Sequence, residues 1–240
     1  MYIVTQGRDA IVLDPWPDAE TMARLQGYRV LLVLTHEHVD HTSGLGRMQR
    51  ALSARTLWQD HCTAWLRNPG NTTPVLLAAL SVSRGAPARD FLRGLHLKTE
   101  TYEPDMTFAE RVSLDWGALH IEGYATPGHS RGSVAFIDEQ DKIIFSGDNV
   151  CDALWMQLPG VTSIEEWLPS AQWLYDMSAD YRIFWGHRVP QLEREYIAQV
   201  ITWGKEIMAK SRGNSKLPKI TQYPNRPDGI IYRTDRVFRK

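Results

Sequence analysis

The chain has 240 residues, 43% hydrophobic and 23% charged, with a formal net charge of −1. That length can bury a full core as one α/β domain or two small ones, and the charge gives no whole-molecule case for nucleic acid or anionic membrane. Its two cysteines, Cys62 and Cys151, lie far apart without a C-x-x-C spacing and read as free thiols. No stretch reaches membrane-spanning length and no basic-then-apolar leader pattern opens the chain, so the cytoplasm is the expected compartment.

In chain order, apolar runs at 2–5 and 10–13 around Gly7-Arg8-Asp9 predict a β-hairpin, ended by Asp14-Pro15. Residues 18–26 read as a short helix closed by Gly27, and 30–34 as a buried strand. A helix over 44–52 and a strand over 56–58 follow. Between 60 and 97, Pro69-Gly70-Asn71 and Ser83-Arg84-Gly85-Ala86-Pro87 break helix-like spacing into two or three short helices. These form either a lid or plain packing. Strand signals return at 97–101, 111–114, 119–124, 133–137 and 143–145. A helix over 164–177 carries a capping box, Ser163 with Glu166. A last strand at 181–185 and a long helix at 191–210 complete a domain, 1–210.

Residues 211–240 form a basic C-terminal extension, read as a tail or an oligomer arm, with a strand at 230–233. From Lys205 to Lys240 there are ten Lys/Arg against three Asp/Glu. A solvated basic face accounts for this, and so does an anion-binding edge for a substrate carrying carboxylates or phosphates.

The chemistry is concentrated where strands end. Thr35-His36-Glu37-His38-Val39-Asp40-His41 leaves the 30–34 strand as an H-x-H-x-D-H cluster. Open α/β sheets place ligands at such C-terminal strand ends. Three more strand ends deliver donors: His129 in Pro127-Gly128-His129-Ser130, Asp148 in Ser146-Gly147-Asp148, and His187 after Gly186. Five imidazoles and two carboxylates exceed the three protein ligands that one four-coordinate catalytic ion requires. They suit two ions with one carboxylate between them, a pair that generates a hydroxide nucleophile at neutral pH and polarises the bond under attack.

In motif content and order the chain resembles the metallo-β-lactamase-fold hydrolases, over about residues 1–190. The resemblance implies an α/β (α+β) fold, a four-layer αβ/βα sandwich. It assigns His36, His38 and His129 to one metal, and Asp40, His41 and His187 to a second, with Asp148 bridging. Asp40 would also orient the bridging hydroxide and carry a proton. Asp14 matches an early strand-end acid that supports the site from behind; a turn-forming Asp is the competing reading.

Departures narrow the branch. True β-lactamases of this fold lack the bridging Asp present here as Asp148. The diiron flavoprotein reductases have Glu where this chain has His38. Lactonases tend to carry Tyr at the position of Cys151. Glyoxalase II-like thioesterases share the His129–Asp148 spacing and use basic C-terminal residues to hold glutathione. The expected activity is hydrolysis of a small ester, thioester or lactone. The alternatives are a phosphodiesterase or a metal-binding sensor with little catalysis.

The expected cofactors are two divalent ions, Zn2+ first, with Fe or Mn also fitting. Asn149, Trp155 and Met156 are candidate substrate contacts, although Trp155 also suits core packing. Against the resemblance the N-terminus reads as short, with one strand expected to be missing or supplied by a neighbour. The expected partners are a small-molecule substrate and a second copy, joined through the N-terminal edge or the C-terminal extension, with no membrane or nucleic acid.

Overall fold

Residues 1–67, 103–187 and 191–240 are described by the computed structural model, which divides into two units, Met1–Ala125 and Thr126–Lys240.

The first unit is built on a five-stranded sheet of order β1-β2-β3-β4-β5. Its strands are β1 (Tyr2–Gln6), β2 (Asp9–Leu13), β3 (Arg29–Val33), β4 (Arg55–Gln59) and β5 (Met106–Phe108). The β1–β2 hairpin is antiparallel and every later pairing is parallel. Parallel strands are covered on both faces and so carry unbroken apolar runs. Ala10 to Leu13 and Leu31 to Leu34 are all fully buried. Gly7 closes the hairpin at φ +60, where a side chain would strain the turn.

Helix α1 (Ala19–Arg24) starts at Asp18, whose carboxylate accepts the Thr21 N–H at 2.9 Å. The one-turn helix α2 (Val39–Thr42) lies within the histidine cluster. Helices α3 (Leu45–Leu52) and α4 (Asp60–Leu66) follow. Leu45 and Met48 join Val30, Leu32, Leu34 and Trp58 in the core of this unit. A second hairpin, β6 (Arg111–Trp116) with β7 (Leu119–Ala125), ends the unit. The expected strand at 97–101 lies outside the described residues, as does the helical insert from residue 68 onward.

In the second unit β8 (Val134–Asp138) is buried throughout and runs antiparallel to β9 (Ile143–Phe145). β11 (Arg182–Phe184) joins β9 in parallel. Helix α5 (Ile164–Met177) packs against α6 (Arg194–Lys210). A Cβ on Gly204 of α6 would come within 2.6 Å of the Trp167 ring, so the glycine permits the close approach.

Residues 211–240 also carry strands. β12 (Ile220–Tyr223) pairs antiparallel with β13 (Ile230–Arg233), and β13 pairs in parallel with the two-residue β10 (Trp155–Met156). The order is β10-β13-β12, which leaves β12 at an edge.

Candidate metal centre

In the first unit the histidine cluster is held from behind by Asp14. This residue sits in the left-handed region at φ 53, a conformation that Asp tolerates better than most side chains. Its Oδ1 accepts the Thr35 N–H at 2.7 Å. Its Oδ2 accepts the Thr35 hydroxyl and the His41 Nδ1–H, each at 2.7 Å. A carboxylate on Nδ1 fixes the His41 tautomer and leaves Nε2 as the lone-pair nitrogen. The Thr35 hydroxyl hydrogen is committed to Asp14, so its oxygen accepts from His36 Nδ1, 3.1 Å away. His36 Nε2 is thereby also the basic nitrogen.

His36, His38 and His41 are 1%, 1% and 2% exposed, too buried to be solvated loop residues. The His36 ring centroid is 4.8 Å from that of His38 and 4.0 Å from that of His41. Asp40, with a fifth of its side chain exposed, places Oδ2 3.7 Å from His41 Nε2.

Glu37 stands apart from this donor set. It is buried and accepts a hydrogen bond from the Cys62 thiol at 3.6 Å. Burial first, and the charge of Glu37 second, push the Cys62 thiol well above its ordinary range. Nothing in the spacing of residues 37 and 62 announces this contact.

In the second unit the loop after β7 carries His129. Gly128 is required there: a Cβ would lie 2.2 Å from Asn149 Oδ1 and 2.4 Å from Trp167 Cδ1. Asn149 Oδ1 accepts the His129 N–H at 3.1 Å, and its carbonyl accepts the Trp167 Nε1–H at 2.8 Å. Asn149 is fully buried in this support of His129. The other two candidate substrate contacts lie on β10, Trp155 half-buried and Met156 buried.

Two backbone hydrogen bonds tie the loop after β9 to the chain leaving β11: Ser146 N–H to Phe184 O at 2.8 Å, and Gly186 N–H to Gly147 O at 3.1 Å. Asp148 Oδ2 then lies 2.8 Å from His187 Nε2 and 4.0 Å from His129 Nε2. One carboxylate oxygen thus lies near the Nε2 atoms of two imidazoles. His187 is the exposed member, with 42% of its side chain accessible, while His129 and Asp148 are buried.

These donors are nitrogen and carboxylate oxygen, with both thiols outside the set. That chemistry fits Zn, Fe or Mn and does not choose among them. A model of the metallo-beta-lactamase superfamily matches residues 1–187, a span that ends on the last of the seven donors. The chain belongs to this superfamily.

Its relatives in the superfamily are hydrolases by name. It is 26% identical over 180 residues to the acyl-coenzyme A thioesterase MBLAC2 of Gallus gallus, covering 71% of this chain and 63% of that protein. It is 30% identical over 152 residues to a hydroxyacylglutathione hydrolase of Anaeromyxobacter dehalogenans, covering 62% of this chain and 45% of the relative. The chain therefore spans under two thirds of the length of these relatives.

Among solved structures it resembles the BLEG-1 B3 metallo-beta-lactamase at 21% identity, with a TM-score of 0.63 over 82% of this chain and 90% of the other. It resembles TTHA1623 in a di-iron-bound form at 22% identity, with a TM-score of 0.60 over 82% and 91%. At such identities the likeness is one of fold, and the expected α/β metallo-β-lactamase architecture is the one found.

Proposed function

We propose that the chain is a metal-dependent hydrolase of small acyl substrates, with a thioester as the first choice before an ester or lactone. The relatives named above favour the thioester, and no lactonase-type Tyr stands at Cys151. In this reading, carried over from the superfamily's motif order, His36, His38 and His129 hold one ion, Asp40, His41 and His187 hold a second, and Asp148 serves both. The observation that carries it is Asp148 Oδ2 facing His129 and His187 together.

Divalent ions bound there would supply Lewis acidity, lowering the pKa of water towards ~7 and polarising the acyl carbonyl. The residues of the chain do the rest. Asp14 and Thr35 keep His41 and His36 in the tautomers that offer Nε2. Asp40, partly exposed and therefore able to exchange protons, accepts the proton of the attacking water. The new C–O bond forms, the C–S bond breaks, and Asp40 returns the proton to the departing sulfur.

The test is metal analysis joined to a panel of one thioester, one ester, one lactone and one phosphodiester, with Zn-, Mn- and Fe-loaded protein. The expected result is about two ions per chain and turnover greatest on the thioester. Fewer than one ion per chain, or turnover that survives chelation, would overturn the metallohydrolase. Turnover of the phosphodiester alone would overturn the acyl assignment.

A further inference from the structure

The exposed large hydrophobic side chains among the described residues are two, Leu217 and Ile220, 74% and 53% accessible, three positions apart. They lie in a stretch, 207–227, that holds five Lys or Arg and no Asp or Glu. Arg212 and Lys216 precede Leu217 and Lys219 lies between the two aliphatics; all three are exposed, and none makes an ion pair among the described residues. Two other cations of the C-terminal segment are engaged: Arg226 pairs with Asp228 at 2.6 Å and Arg233 with Asp235 at 3.0 Å.

The exposure is built into the fold. Asn214 Oδ1 accepts the N–H groups of Val237 and Phe238, and its Nδ2 donates to Phe238 O at 2.9 Å. On the other side of Leu217, Lys219 N–H donates to Thr234 Oγ1 at 3.0 Å, and Thr234 N–H returns to Lys219 O at 2.9 Å. Ser215 Oγ donates to Leu217 O at 2.9 Å. The loop is thus pinned on both flanks, and Leu217 is held outward between them. Two exposed aliphatic side chains within four positions, set among unpaired cations, give this loop the amphipathic make-up of an interaction surface.

We propose that this loop and the first residue of β12 dock the protein on an anionic lipid surface, Leu217 and Ile220 entering the headgroup region while Arg212, Lys216 and Lys219 pair with lipid phosphates and carboxylates. Charge decides the occupant. A second copy meeting this edge across a two-fold axis would bring cation against cation. A nucleic acid would use the cations and leave the two aliphatics in water. A negatively charged bilayer satisfies both, since apolar burial and attraction to anionic lipid add. The low net charge of the whole molecule does not weigh against it, because the attraction acts within about a Debye length of the membrane surface.

The experiment is co-sedimentation of the full chain with vesicles of phosphatidylcholine and with vesicles of seven parts phosphatidylcholine to three parts phosphatidylserine. The protein is expected in the pellet with the second and in the supernatant with the first, and salt should release it. K216Q/K219Q should lower partitioning roughly thirtyfold, at about a factor of five per cation. L217S/I220S should weaken it at unchanged charge, and both variants should keep the parent melting temperature and the parent rate on a soluble acyl substrate.

Equal binding to both vesicles would overturn the proposal, and so would no binding to either. Binding that the aliphatic pair does not influence would reduce the segment to a generic basic surface. A dimer in solution that L217S/I220S dissociates would assign the face to a second copy instead. Failure of the hydrolase reading leaves this outcome untouched, because the vesicle assay needs no turnover.

Discussion

Asp14 acts entirely through other side chains, and its worth is measurable. Its two oxygens take three hydrogen bonds from Thr35 and His41 inside a buried site. Asp14→Asn keeps the size and tolerates the left-handed backbone, but its NH2 group would face donors. We expect a loss of about 1–3 kcal/mol in metal-free denaturation, and a fall of 10–100-fold in metal affinity by titration. An unchanged affinity would leave Asp14 as a turn residue only. Asn149→Ala removes the acceptor for the His129 N–H. It should weaken metal binding and lower kcat with little change in KM; a KM effect alone would return Asn149 to the substrate wall. At this scale the candidate donors stand out in the sequence because each is a His or Asp at a strand end, beside a Gly or at fixed spacing within one cluster. Asn149 beneath His129 and Glu37 against Cys62 were not, because the partners meet only after residues 20 and 25 positions apart fold together.

Among the elements, α5 was the easiest to read, and its start can be tested. Ser163 Oγ accepts the Glu166 N–H at 3.1 Å, and the Glu166 carboxylate takes both the N–H and the hydroxyl of Ser163 at 3.0 Å. Desolvation is the largest single influence on Glu166 and raises its pKa. The Ser163 hydrogen bonds, with Arg131 and Arg239, outweigh it and hold the carboxyl below its ordinary value of 4.5. A depressed pKa means stability that is present above the ordinary value and lost as the pH falls through the folded one. Ser163→Ala should therefore cost about 1 kcal/mol near neutrality, a melting point roughly 2–4 °C lower. The gap should narrow below the ordinary glutamate range, and a gap that widens in acid would contradict the assignment. Apolar periodicity and caps located β2, β3, α5 and α6 to within a few residues. It gave no sign of β5, β10 or β12, of three, two and four residues. Such short strands exist through their pairing rather than their own propensity: β10 pairs with β13, more than seventy positions along.

Across the whole molecule, charge and burial are distributed unevenly, and the buried imidazoles have the larger consequence. A fold that sinks His36, His38, His41 and His129 below 4% exposure pays desolvation, which bound ions would offset. Ions that bind the folded chain and not the unfolded one stabilise it by RT ln(1 + [L]/Kd), about 2.7 kcal/mol at a hundredfold excess over Kd. For a chain of this length that corresponds to roughly 5–11 °C. Chelation followed by dialysis should therefore lower the melting temperature by that order, and re-addition of Zn, Mn or Fe should restore it in order of affinity. The thiols give an independent reading of the same equilibrium. Cys62 and Cys151 are buried, and burial pushes both thiols well above their ordinary range, so neither should react with a thiol reagent until the chain opens. Labelling should be slow with metal and accelerate after chelation, in step with the loss of stability. A melting temperature and a labelling rate that both ignore the chelator would mean that the histidines are satisfied within the protein. The two-metal site would then fall on thermodynamic grounds before any substrate is tried.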